Sequence, residues 1–408
     1  MQLNSMIIEL IIALIVGIAI GTLTGLFPGI HINLVSTFVL TFSSTLLIFI
    51  SPIYLVVFVI SLAITHTFID FIPTIFLGAP NEDTALSILP GHKLLLKGLG
   101  YTAILLTIYG GLISIPILLI LIPLFLNFLP IIYPNAVRIM PIILILISGF
   151  LIYSEGKNKR FLALIIFLLS GFLGLATLNL PIKEPLLPLF SGLFGASGLI
   201  LSIRNKTIIP DQKILNLKQI KLPKISYLKS FFTITIASPI IAFIPGTGSN
   251  QAAIISSKVI GKLDEKEFLF VIGGINTLMM CLSFITLYSI NKTRTGAAVA
   301  VSKLIPKLSS ENLSIIIIIL IISSIIAATL TLKLAKFFSK KINKINYKKI
   351  SIIILIILAI LSIKFSGLIG LLVFITSTAL GIFCIQTKIK RTELMGCLLI
   401  PTILIYLV

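Results

Sequence analysis

The chain has 408 residues, of which 58% are hydrophobic and 11% charged, with a mean hydropathy of +1.20. No soluble globular domain can bury that much apolar side chain, so the surrounding solvent must be lipid. The net charge of +20 would suit a nucleic-acid partner, but twenty of the 32 basic residues fall in four short loops, at 157–160, 204–229, 333–349 and 388–391. Basic residues in short loops orient a membrane protein and mark its cytoplasmic face, which excludes a nucleic-acid surface.

Apolar stretches recur from end to end and predict an all-α polytopic membrane protein of roughly ten to twelve transmembrane or half-spanning helices. The first run lacks a positively charged start and enters a Pro-Gly step where a signal peptide would have a cleavage site, so it is kept in the fold. That step, Pro28-Gly29-Ile30-His31-Ile32-Asn33, lies inside the apolar stretch 18–40. Proline stops the preceding helix and removes a donor, and glycine allows a close approach. A half-helix starting here would present free N–H groups and a positive dipole end to an anion. The plainer alternative is a packing kink.

The next span, 60–77, carries Asp70, the only acid in the middle of an apolar stretch. Its carboxylate exposed to lipid would cost about 2.5–3.5 kcal/mol, so it is expected to face the interior. His66 precedes it by four residues on the same helical face, between Thr65 and Thr67. The pair can relay a proton, bind a cation, or serve as a structural hydrogen-bonded pair. Asn81-Glu82-Asp83-Thr84 reads as a helix start, and His92, beside Lys93, as a solvated loop residue. Stretch 101–126 runs outward, 141–153 returns, and 161–180 with 186–203 forms a hairpin.

The second break, Pro245-Gly246-Thr247-Gly248-Ser249-Asn250-Gln251, lies inside the apolar stretch 231–255. Its polar residues, with Asn33, can donate to an anion or accept toward a Na⁺. Residues 264–267 read as a solvated turn. Gly273-Gly274 permits close helix packing, and Asn276 and Thr277 beside it are cavity candidates. Arg294 could grip a carboxylate bidentately or anchor the outer interface. Stretch 314–332 runs inward, 350–363 and 368–383 form a second hairpin turning at Lys364-Phe365-Ser366, and 394–408 leaves the C-terminus outside. The three cysteines lie in apolar sequence without metal spacing and read as small apolar fillers. With no Trp, nine Tyr must form the interfacial belt.

The two Pro-Gly breaks are 217 residues apart, while Thr67 and Thr277, and Lys93-Leu94 and Lys303-Leu304, are 210 apart. Charge places these counterparts on opposite faces, which predicts an inverted repeat. The expected organisation is a first repeat at 1–126, connecting helices at 127–203, a basic loop at 204–229, a second repeat at 230–332, a basic loop at 333–349 and C-terminal helices at 350–408. The N-terminus would lie outside. Inverted repeats place the substrate at their interface near the midplane, between two related gates.

Gly21-Thr22-Leu23-Thr24-Gly25-Leu26-Phe27-Pro28-Gly29 resembles the N-terminal signature of the large membrane subunit of tripartite tricarboxylate transporters, the TctA family. Gly78-Ala79-Pro80-Asn81-Glu82-Asp83-Thr84 with Leu89-Pro90-Gly91-His92-Lys93, and Pro245-Gly246-Thr247-Gly248, resemble its further blocks, in the form of a shorter archaeal branch. The resemblance implies a secondary transporter that moves carboxylates with an ion gradient. It also implies two partners, a small membrane subunit and an extracytoplasmic binding protein.

The reading is thus an ion-coupled carrier of a small organic anion in the cell membrane, able to form a homo-oligomer, with no catalytic residues, metal or cofactor beyond a coupling Na⁺ or H⁺. Its substrate cradle is Gly29, Ile30, His31, Asn33, Gly246, Thr247, Gly248, Ser249, Asn250, Gln251 and Arg294. Its ion-coupling residues are His66, Thr67, Asp70, Asn276 and Thr277. Rival readings are a translocator of polyprenyl phosphate and an intramembrane lipid enzyme built on His31, His66 and Asp70.

Overall fold

The computed structural model describes residues 2–27, 39, 47–78, 87–204, 209–215, 219–220, 223–242, 263–293, 295–342 and 347–407. Among them the protein is all-α. Eight helical stretches are long and apolar enough to cross a membrane, which makes this a multi-pass membrane protein.

Helix α1 (Gln2–Leu26) lies beside α2 (Pro52–Ile69). The two run parallel in tight register: Gly17 abuts Phe58 and Ser61, Gly21 abuts Leu62 and Thr65, and Gly25 abuts His66 and Ile69. A side chain at Gly21 would meet the Leu62 carbonyl, so the absence of a Cβ sets the distance between the backbones. The chain bends at Asp70 and continues as α3 (Phe71–Leu77). Pro73 has no N–H for the Ile69 carbonyl, and that missing rung breaks the helix here. Gly78 caps α3 in the left-handed region at φ 65°.

After α4 (Ile88–Leu96) comes α5 (Gly100–Tyr153), a continuous helical run of 54 residues. The two separate spans expected at 101–126 and 141–153 are therefore joined. A straight helix of this length would measure about 80 Å, against about 30 Å of hydrocarbon. Both its ends lie by basic loops: Gly100 N–H donates to Gln212, and Glu155, just past the other end, accepts the Lys390 N–H at 3.0 Å. The run therefore folds back, and Pro130, Pro134 and Pro141 fall near where its buried residues pass from one core (to Leu129) to another (from Met140).

The second bundle holds α6 (Arg160–Leu178), α7 (Leu186–Phe190), α8 (Ser197–Arg204), α13 (Tyr347–Gln386) and α14 (Gly396–Leu407). A buried π segment, Ser191–Ala196, joins α7 to α8, and its Gly192 packs on the Phe374 carbonyl and Ser377. Helix α13 reverses at Gly367, whose φ of 67° and ψ of −166° are non-helical, so Gly370 comes to lie against the Ser362 carbonyl. That is the hairpin expected from the sequence.

The remaining helices are α9 (Lys224–Ala242), α10 (Glu265–Ile290), α11 (Gly296–Leu304) and α12 (Ser310–Lys341). Residues 264–267 are not a solvated turn. Asp264 and Glu267 form a capping box that starts α10, and Glu267 is buried 3.9 Å from Lys229. His92 is likewise not a loop residue: it lies on α4, half-buried, and burial holds its pKa below the ordinary 6.5, with the Arg391 charge adding to the effect. All three cysteines are buried thiols.

The first core follows a reciprocal plan. Helix α1 packs on α2 and α9 on α10; α5 packs on α10 and α12 on α2; α11 packs on α2 and α4 on α10.

Candidate ion-coupling site at the α2–α10 crossing

Of the apolar helices, two are enclosed almost completely. In both Pro52–Leu77 and Glu265–Ile290, 94% of the most apolar window is buried, against 22% in α1 and in α13. A helix that is apolar on every side belongs in an interior, and any polar group it carries there has been kept from both water and lipid.

The direction of α10 follows from its contact with α5. Gly110 abuts Phe270 and Gly274, Gly273 abuts Thr107, and Ser114 Oγ donates to the Gly274 carbonyl at 3.0 Å. Further along both helices, Ser289 Oγ donates to the Phe125 carbonyl at 3.1 Å. The two helices therefore run parallel. They start at the face of the basic loops, where Lys93 and Lys97 reach Glu265 at 3.1 and 3.4 Å. The α2–α3 unit ends at that same face, with Phe76 against Gly100. So α2 and α10 are antiparallel.

They meet at Thr67 and Asn276. Asn276 Nδ2 donates to the Thr67 carbonyl at 3.5 Å, a long bond, and its Oδ1 has no hydrogen-bond partner among the described residues. Asn276, Thr277, Thr67, His66 and Asp70 are all buried, at 1–3% exposure. The Thr277 hydroxyl and the Phe68 ring both close on Gly111 of α5. On the α1 side, Thr24 Oγ1 is 3.1 Å from His66 Nδ1 and donates to the Gly21 carbonyl at 3.2 Å. A hydroxyl has one proton to give. The proton therefore goes either to Gly21, with His66 presenting Nδ1–H to Thr24, or to His66 Nδ1 itself.

One turn on, the Asp70 N–H donates to the His66 carbonyl at 3.0 Å and the Asp70 carbonyl accepts Thr74 Oγ1 at 2.7 Å. The Pro73 break therefore falls beside the one acid in the span. Buried hydroxyl, amide and carboxylate oxygens of this kind can take a hard cation or a proton.

All five residues expected to couple the ion thus lie on the two enclosed helices, with Thr67 and Asn276 in direct contact. Thr24 and Ser114 were not singled out from the sequence. Their signals, the Gly17, Gly21 and Gly25 spacing and the Gly110-Gly111 pair, mark close approach rather than polarity. The expected cradle, Gly29, Ile30, His31, Asn33, Gly246, Thr247, Gly248, Ser249, Asn250, Gln251 and Arg294, lies outside the described residues.

No solved structure matches the chain. An uncharacterized protein of Methanocaldococcus jannaschii, MJ1079, is 32% identical over 361 residues, covering 86% of this chain and 88% of the relative. The family model for the tripartite tricarboxylate transporter TctA family matches residues 11–396. Nearly the whole chain is covered, both Pro-Gly breaks and both enclosed helices included, and the chain therefore belongs to the TctA family of transporters.

Proposed function

We propose that this protein is an ion-coupled secondary transporter of a small carboxylate, working by alternating access between two inverted repeats. The observation that carries the reading is the antiparallel crossing of two enclosed helices at Thr67 and Asn276, with Asp70 and His66 beside it. Helices of matching order support the repeat: α1, α2–α3, α4 and α5 correspond to α9, α10, α11 and α12. Thr67 and Thr277, equivalent at a spacing of 210, both lie at the crossing, as residues near a two-fold axis in the membrane plane would.

In this reading Asp70, with the Thr67 carbonyl and Asn276 Oδ1, holds the coupling Na⁺ or H⁺, and Thr24 orients His66. The anion binds the half-helix starts at 29–33 and 246–251, where N–H groups meet its charge, and Arg294 adds a bidentate contact. The family supports di- or tricarboxylates as the substrate class. It also supports a small membrane subunit and an extracytoplasmic binding protein as partners. The basic loops support a cytoplasmic assignment for their face, with both termini outside.

The test is uptake by proteoliposomes of labelled di- and tricarboxylates and inorganic phosphate under imposed Na⁺ or pH gradients. A carboxylate should accumulate under one gradient. Transport of phosphate alone, or of none of the panel, would refute the reading.

A further inference from the structure

The two repeat units end their short helices differently, and the difference lies in which corner is tied down. Between α4 and α5 the chain turns at Lys97-Gly98-Leu99, and the irregular segment 209–215 meets that turn through Asp211, Gln212 and Lys213. Gln212 spans it with one side chain: Nε2 donates to the Leu95 carbonyl at 3.0 Å, at the end of α4, and Oε1 accepts the Gly100 N–H at 2.7 Å, at the start of α5. The Lys213 N–H donates to the Gly98 carbonyl at 2.8 Å. Gly98 has a φ of 73°, and a Cβ there would sit 2.7 Å from the Asp211 carbonyl, so glycine is required twice over. Ile209 is buried in the first core and anchors the segment. Lys93 and Lys97 then tie the same corner to Glu265 at the start of α10.

The equivalent corner, between α11 and α12, carries the same two lysines 210 residues on, Lys303 and Lys307. Position 55, equivalent to Glu265, is a leucine. Among the described residues no hydrogen bond or ion pair joins Lys303, Lys307 or the 305–309 turn to another segment. Ser309 caps only its own helix, accepting the Asn312 N–H at 3.1 Å.

We propose that residues 209–215 are a strap which, with the Lys93–Glu265–Lys97 bridge, makes the face of the basic loops the harder of the two to open. The strap joins both helix ends at the corner, so opening this face breaks bonds that have no counterpart among the described residues of the opposite corner. Its consequence for the transport cycle rests on the alternating-access reading; its existence as a lock does not.

The experiment is hydrogen–deuterium exchange of the reconstituted full chain, read in peptides covering 93–102 and 303–312. In the wild type the first should exchange at least about tenfold more slowly than the second, and Gln212→Ala should speed it by about five- to tenfold while leaving 303–312 unchanged. Gln212→Glu keeps the acceptor for Gly100 but cannot donate to Leu95, and should give a smaller rise. Equal protection of the two corners in the wild type, or no change at 93–102 in either variant, would overturn the strap. In substrate counterflow, Gln212→Ala, which loses both side-chain bonds across the corner, should run at least about threefold faster; an unchanged or slower rate would remove the gating role. Exchange is measured without substrate, so a failure of the transport reading leaves this result standing on its own.

Discussion

Helices α2 and α10 occupy equivalent places yet carry different chemistry. Both are enclosed, both meet the other at mid-length, and each receives one long helix from the opposite unit. At the 210-residue spacing, however, His66 corresponds to Asn276, Asp70 to Met280, and the helix-breaking Pro73 to Ser283. In the proposed repeat, the scaffold is what the two units would share. At the crossing, the ionisable groups and the bend beside them come from the α2–α3 stretch, while α10 offers the neutral Asn276 and Thr277. The proposed ion site would then be asymmetric within a paired frame, and that asymmetry can be attacked from both sides.

The largest effect is expected at Asp70. Asp70→Asn should lower gradient-driven uptake by about 10–100-fold, the usual consequence of losing a group that orders a bound ion. Met280→Leu at the equivalent place should leave uptake within about twofold, since this swap conserves volume. Initial rates in proteoliposomes decide the point. Next comes packing: Gly273→Leu drives a side chain into the Thr107 backbone and should destabilise the fold by about 1–3 kcal/mol. Gly149→Leu, with nothing within 4 Å of its would-be Cβ, should leave the thermal midpoint unchanged.

Asn276→Ala removes a long hydrogen bond and a buried amide oxygen. It should cost about 1 kcal/mol of stability and raise the ion concentration needed for half-maximal uptake, measured by titrating the ion at fixed substrate. Smaller still is the effect of His92. Its folded-state pKa lies below the ordinary 6.5, so the unfolded chain binds the proton first. Stability should be full above that value and fall as the pH drops below it, and His92→Gln should flatten the profile in thermal melts from neutral to mildly acidic pH. Glu265→Gln breaks two exposed ion pairs and should cost less than about 1 kcal/mol.

Much of the fold was legible because lipid leaves few choices. Apolar length gave the helices, basic loops gave their common face, and the reversal at Gly367 falls next to the turn read at Lys364-Phe365-Ser366. Asp70 and His66 stood out because an ionisable group inside a span needs an interior to face. What was not legible depends on contacts between distant segments. The outward and returning stretches of α5 were legible, but not that 127–140 joins them in one helical run, since membrane helices continue through proline where neighbours satisfy the freed carbonyls. The start of α10 read as a turn because its acids look solvated until Lys229 and the capping box are in place. Thr24 reaches His66 across 42 residues and Gln212 reaches Gly100 across 112, and neither pairing leaves a local pattern.

The sharpest measurement compares two assays on one variant. In proteoliposomes, Asp70→Asn should keep substrate counterflow within about threefold of wild type, because the proposed anion cradle is made of other residues, while losing accumulation driven by a Na⁺ or pH gradient at the scale of an ion-site lesion. Retention of gradient-driven accumulation would show that the α2–α10 crossing does not hold the coupling ion, and loss of both activities in a folded protein would show that it is not separable from the substrate site.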